Sequence, residues 1–86
     1  MGSYSLRIKR SAAKELAGLP TQDRARIVTR IQGLAHEPRP PGCERLSGQE
    51  RYRIRQGDYR ILYEINDDGL IVMIVKIGHR RDVYRR

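Results

Sequence analysis

Apolar and basic residues alternate on both sides of Gln56-Gly57-Asp58. In a strand, successive side chains point to opposite faces. Tyr52 and Ile54 therefore share one face, with Arg51, Arg53 and Arg55 on the other. After the turn, Tyr59, Ile61, Tyr63 and Ile65 share a face, with Arg60 opposite them. The pattern predicts a hairpin of strands over about 51–55 and 59–66. Residues 4–9 alternate in the same way, Leu6 and Ile8 against Arg7 and Lys9, and read as a half-buried strand. Asp67-Asp68-Gly69 is a turn signal. Residues 70–77 carry apolar side chains at both parities, which predicts a central strand covered on both sides.

Helical spacing occupies the stretch between the first strand and the hairpin. Ser11 is a candidate N-cap for a short helix through Leu16 or Ala17, ended by Gly18 and Pro20. Thr21 is a candidate cap for a second helix to about Ala35. Its apolar stripe is Ala25, Ile27, Val28, Ile31, Leu34 and Ala35, with Arg24, Arg26 and Arg30 on the wet side. Residues 37–48 hold three prolines and two glycines and read as loop. The order β-α-α-β-β-β is that of an α+β two-layer domain, a helical hairpin packed on a largely antiparallel sheet. The last three strands should form a meander, with the first strand beside the last. Leu16, Ile27, Val28, Ile31 and Leu34 should cover one face.

Length and charge narrow the partners. The 86 residues suit one domain, residues 1–86, with too little chain for two cores. The net charge is +8, from 18 Lys+Arg against 10 Asp+Glu, and the pI is near 10.4. Arginine dominates: lysine occurs only at Lys9, Lys14 and Lys76. The cations gather in residues 51–60 and 79–86, which points to nucleic acid or an acidic protein partner rather than to a merely solvated surface. The single cysteine, Cys43, excludes an internal disulfide, has no metal-ligand spacing around it and reads as incidental. The N-terminus turns basic at once, unlike a signal peptide. The longest apolar run, residues 70–75, is far too short for a membrane span. The expectation is a soluble, cytoplasmic protein with no membrane partner and no cofactor.

The candidate chemistry lies on the arginines. If Arg55 pairs across the turn near Arg60, three or four guanidinium groups crowd onto one sheet surface. Like charges facing each other across strands cost stability, and a polyanion offsets that cost. The guanidinium fork suits phosphate. The tail after the last strand, Gly78-His79-Arg80-Arg81-Asp82-Val83-Tyr84-Arg85-Arg86, adds His79, Arg80, Arg81 and Tyr84.

The order of elements, the YRIR-QGDYRILYEI hairpin and the GHRRDVYRR tail resemble the RelE/ParE toxin superfamily, and within it the RelE-like ribosome-dependent mRNA interferases. The resemblance runs from about Tyr4 to Arg86, and the two basic motifs carry it. It implies the toxin of a type II toxin–antitoxin module, an endoribonuclease that cuts mRNA in the ribosomal A site without a metal. The 2′-hydroxyl attacks the adjacent phosphate and leaves a 2′,3′-cyclic phosphate. By position, Arg53 and Arg55 match the family's two basic residues of the second strand, Arg60 the arginine of the third, Arg80 the basic residue after the last strand, and Tyr84 the tail tyrosine. Arg51 and Arg81 extend the RNA-binding surface. The implied partners are the ribosome, with its mRNA and rRNA, and an acidic RelB-like antitoxin.

One departure concerns the base. RelE-type enzymes can carry lysines where this chain has Arg53 and Arg55, and arginine abstracts protons poorly. His79 has the only nearby side chain whose ordinary pKa suits acid–base work. Glu44 and Glu50 are candidate bases, and the facing of Lys76 is open. The bland readings are structural: Arg60 paired with Glu64 or Asp58, Tyr84 closing the sheet end, His79 stacking on a neighbour, and Tyr52, Tyr59 and Tyr63 as core or rim aromatics. His36 needs no role beyond the helix dipole. The competing functions are a ParE-like DNA gyrase poison and a non-catalytic RNA- or ribosome-binding module.

Overall fold

The alternating hairpin forms as its pattern predicts. In the computed structural model, which describes residues 3–46 and 51–79, β3 (Arg51–Gln56) and β4 (Tyr59–Asn66) pair antiparallel. Gly57 in the connecting turn has φ 60°, a left-handed conformation that suits glycine. β5 (Ile71–His79) lies antiparallel to β4, and β1 (Ser5–Ile8) runs parallel to β5. A short strand, β2 (Glu44–Leu46), pairs antiparallel with β3, so the sheet order is β1-β5-β4-β3-β2. α1 (Arg10–Ala17) and α2 (Thr21–Leu34) cover one face. Ile27, Ile31 and Leu34 of α2 are buried against Ile54, Ile61, Tyr63, Val72, Ile74 and Ile77 of the sheet, while Leu16 and Val28 are half-buried at its margin.

Several expectations need correction. β2 sits inside the segment read as loop. The prolines stop at Pro41, and Glu44-Arg45-Leu46 are free to hydrogen-bond to the outer edge of β3. β5 is central but, among the described residues, covered by helices on one face only: Ile71, Met73 and Val75 are half-buried. α1 starts before Ser11, because Lys9 still donates its N–H to Ile74 O at 2.9 Å and the chain passes straight from strand to helix. Pro20, not Thr21, precedes α2, and neither helix has a side-chain N-cap bond. Ala25 is exposed rather than part of the buried stripe. In the β4–β5 turn the positive φ falls on Leu70, at 54°, while Asn66 Oδ1 accepts from Gly69 N at 2.9 Å.

Two devices shape the sheet around the arginines. The register slips between Leu62, opposite Lys76, and Tyr63, opposite Ile74, leaving Val75 as an extra residue. This bulge returns Ile77 to the helix-covered face. β1 has already ended at Ile8, opposite Ile74. Beyond that point Glu15 of α1 covers the edge of β5: Ile77 N donates to its Oε1 at 2.9 Å and Lys76 Nζ to its Oε2 at 2.8 Å. The second device ties the proline-rich segment down beside β3 and β4. Tyr63, fully buried, donates its hydroxyl to Pro38 O at 2.7 Å. Arg39 donates to the Tyr52 hydroxyl at 3.0 Å and to Asp67 at 2.9 Å, and Asp67 also accepts from the Tyr4 hydroxyl at 2.7 Å. These anchors bring the chain back to β3 at Glu44.

Candidate functional site

The helices take the apolar parity of β3 and β4, which puts the arginines on the opposite face, with no helix over it among the described residues. On that open face Arg55 lies directly opposite Arg60, Arg53 opposite Leu62, and Arg51 opposite Glu64. The expected arginine pair across the turn is thus a direct cross-strand neighbour. β2 adds Glu44 opposite Arg53. Arg53 donates to Glu44 Oε1 from Nε at 2.9 Å and again from a terminal nitrogen. The carboxyl of Glu44 is held below its usual range, first by the hydrogen bond from Arg53, then by that residue's charge and those of Arg55 and Arg60. Three guanidinium groups therefore act on one carboxylate. The Arg53 side chain is 23 % exposed and the Glu44 side chain 61 %.

Neighbouring charges are committed. Glu64 receives Arg51 Nη2 at 2.6 Å, so the carboxylate considered as a partner for Arg60 belongs to an ion pair with Arg51. Lys76 reaches Glu15 at the sheet edge. Glu44 is a poor general base, because its hydrogen bonds to Arg53 favour the ionised form. The described open face can bind phosphate oxygens and stabilise developing negative charge. It offers guanidinium groups that keep their protons rather than a neutral base.

His79 is not brought to this face. It lies opposite Tyr59, whose parity is that of the helix-covered side. The two rings meet edge to face at 5.8 Å, and Tyr59 donates its hydroxyl to Asp23 Oδ2 of α2 at 3.3 Å. The bulge at Val75 sets this parity, and the sequence carries no signal for it. Burial, then Asp23, pushes the Tyr59 phenol up. Arg80, Arg81, Tyr84 and Glu50 lie outside the described residues. Among the described residues, no group of three or more His, Cys, Asp or Glu side chains could hold a metal ion, and no helix is long and apolar enough to cross a membrane. Glu44 as a fixed partner of Arg53 was legible only once its stretch of chain was known to be a strand.

Comparison with known proteins identifies the family and the fold. The family model for the ParE toxin of type II toxin–antitoxin systems matches residues 6–84. Toxin RelG of Mycobacterium tuberculosis is 36 % identical over 87 residues, covering 96 % of this chain and 98 % of that protein. Among solved structures, the M. tuberculosis toxin–antitoxin complex RelBE2 superposes with a TM-score of 0.81 at 30 % identity, covering 91 % of this chain and 99 % of that one. The archaeal RelE–RelB complex from Pyrococcus horikoshii superposes with a TM-score of 0.83 at 30 % identity, covering 91 % and 96 %. A sheet with one helix-covered face and one arginine-bearing face, matched over nearly its whole length, places this chain in the ParE toxin family of type II toxin–antitoxin systems, within the RelE/ParE superfamily.

Proposed function

We propose that this toxin is an endoribonuclease that cuts mRNA in the ribosomal A site, in the cytoplasm. The observation that carries the reading is the direct opposition of Arg55 and Arg60 on the face opposite the helices, with Arg53 beside them. Such crowding is unfavourable on its own and suits a phosphate backbone. In the reaction, the ribose 2′-oxygen bonds to the adjacent phosphorus, and the bond from phosphorus to the 5′-oxygen breaks. The 2′-proton goes to a base, and the departing 5′-oxygen takes up a proton. Arg60, with Arg80, bears on the scissile phosphate and stabilises its added charge. Arg53 and Arg55, extended by Arg51 and Arg81, hold the backbone of mRNA or rRNA. Tyr84 orients the substrate or assists proton transfer. His79 meets Tyr59 edge to face on the other face of the sheet, so the proton transfers are not assigned to it. The ribosome aids the step by ordering the mRNA, since positioning alone supplies several kcal/mol. The partner that restrains the toxin is an acidic, RelB-like antitoxin; the relatives from M. tuberculosis and P. horikoshii, seen as toxin–antitoxin complexes, support this.

Purified protein added to translating ribosomes tests the reading. Cleavage of mRNA at codon positions is expected, and intact mRNA at saturating toxin would overturn it. The ParE description of the matching family favours a second reading, a gyrase poison. Inhibition of gyrase supercoiling, with mRNA left intact, would select it.

A further inference from the structure

We propose that Glu44 is an internal counter-anion of the arginine site, which gives way when a phosphate oxyanion binds. The inference rests on the reading of the open face as phosphate-binding and assigns Glu44 a role in it. Arg53, Arg55 and Arg60 carry like charges on one sheet face, with Arg55 directly opposite Arg60. The carboxylate of Glu44 accepts two hydrogen bonds from Arg53 and feels the charges of all three. It thereby holds the Arg53 fork in place over the sheet.

The placement also makes the contact exchangeable. Glu44 is the first residue of a three-residue edge strand, and its side chain is 61 % exposed, whereas that of Arg53 is 23 % exposed. The guanidinium is built into the sheet surface and the carboxylate is laid over it from the edge. A phosphate group presents oxygens of the same geometry to the same fork. It can take the place of the carboxylate while the arginines stay where they are. Glu44 then sets the affinity of the site, because any incoming phosphate competes with an anion held next to it. By contrast, Glu64 stands on the central strand directly opposite its partner Arg51, with its side chain less exposed at 44 %.

The experiment uses the full chain with two probes, inorganic pyrophosphate and a 2′-O-methyl RNA oligonucleotide that cannot be cleaved. Binding is read from the arginine Nε–Hε and glutamate carboxyl resonances. Glu44→Gln keeps the shape and removes the charge; Asp68→Asn, in the turn at the far end of β4, is the control for net charge. Glu44→Gln should tighten pyrophosphate roughly three- to tenfold at low salt, and Asp68→Asn by less than about twofold. Arg53→Ala should weaken binding more in the Glu44→Gln background than in the natural chain, since the Glu44 carboxylate no longer competes for its fork. In the natural chain, saturation with pyrophosphate should shift the Glu44 carboxyl resonance. Equal effects of the Glu44 and Asp68 changes, or a Glu44 resonance unmoved at saturation, would overturn the proposal. Pyrophosphate binding tightened by Glu44→Gln, with no binding of the oligonucleotide, would remove the RNA reading and leave the counter-anion standing. Oligonucleotide binding indifferent to Glu44→Gln would do the reverse.

Discussion

Replacing Glu15 by alanine should loosen the end of β5 that leads into the basic tail. Glu15 accepts the Ile77 N–H at 2.9 Å and Lys76 Nζ at 2.8 Å, where β1 no longer covers the edge. A hydrogen bond to a charged group contributes about 1.5–3 kcal/mol, and removal of the carboxylate leaves the Ile77 donor without its partner. The ion pair itself, with side chains 38 % and 32 % exposed, adds only about 0.5 kcal/mol. Alanine returns a few tenths, roughly 0.4 kcal/mol, through its helix propensity in α1. The net expectation for Glu15→Ala is a loss of about 2 kcal/mol, or roughly 8–16 °C in Tm for a domain of this size. Glu15→Gln keeps an acceptor for the amide and should lose about 0.5–1 kcal/mol. Urea unfolding followed by circular dichroism measures both, and native-state hydrogen exchange reports on the Ile77 amide. In Glu15→Ala that amide should exchange faster by more than the global change explains, while Val72, deep in β5, follows the global change. The reasoning fails if Glu15→Ala stays within about 0.5 kcal/mol of the natural chain with Ile77 protection intact. It also fails if glutamine is as damaging as alanine, since the charge and not the covered edge would then be what matters.

Ile74, fully buried where β5 meets both neighbours and the helices, should cost about 3–4 kcal/mol on truncation to alanine, read in the same denaturation experiment. Tyr63→Phe removes the donor to Pro38 O and should cost about 1 kcal/mol at neutral pH. Burial, above all, holds the Tyr63 phenol above its usual range. The unfolded chain then loses this proton first, and stability should fall as pH rises beyond about 10; a phenylalanine variant with the same alkaline limb would contradict this. The Asp67 carboxyl is held below its usual range by hydrogen bonds from Arg39 and then Tyr4. Its contribution is complete at neutral pH and is lost as pH falls through the acid range, so Asp67→Asn should flatten the acid limb of the stability curve. Arg60→Ala should slow mRNA cleavage by about 100-fold while changing ribosome binding only a few-fold; equal losses in rate and binding would remove its catalytic role.

Local patterns told much of this in advance. The period-two alternation of residues 51–66 determines that the tyrosines and isoleucines share a face and the arginines the other, because side-chain direction in a strand depends only on parity. Gly57 marks the turn, and the spacing of Ile27, Ile31 and Leu34 marks the buried stripe of α2. The turn between Arg55 and Arg60 is short enough to set their pairing, so the crowded guanidinium groups were legible from the chain. The basic hairpin and tail likewise sufficed to indicate the superfamily. Contacts distant along the chain were decided by tertiary structure. Glu44 meets Arg53 because the anchors at Tyr63, Tyr52 and Asp67 bring the proline-rich segment back to the edge of β3, and no local pattern encodes that return. His79 turns toward Tyr59 because one extra residue at Val75 reverses the parity of the strand's end. Glu15 covers the edge of β5 because β1 stops early. A hydrophobic pattern specifies which side of a strand is buried, but register, bulges and edges depend on which strands meet and where each one ends.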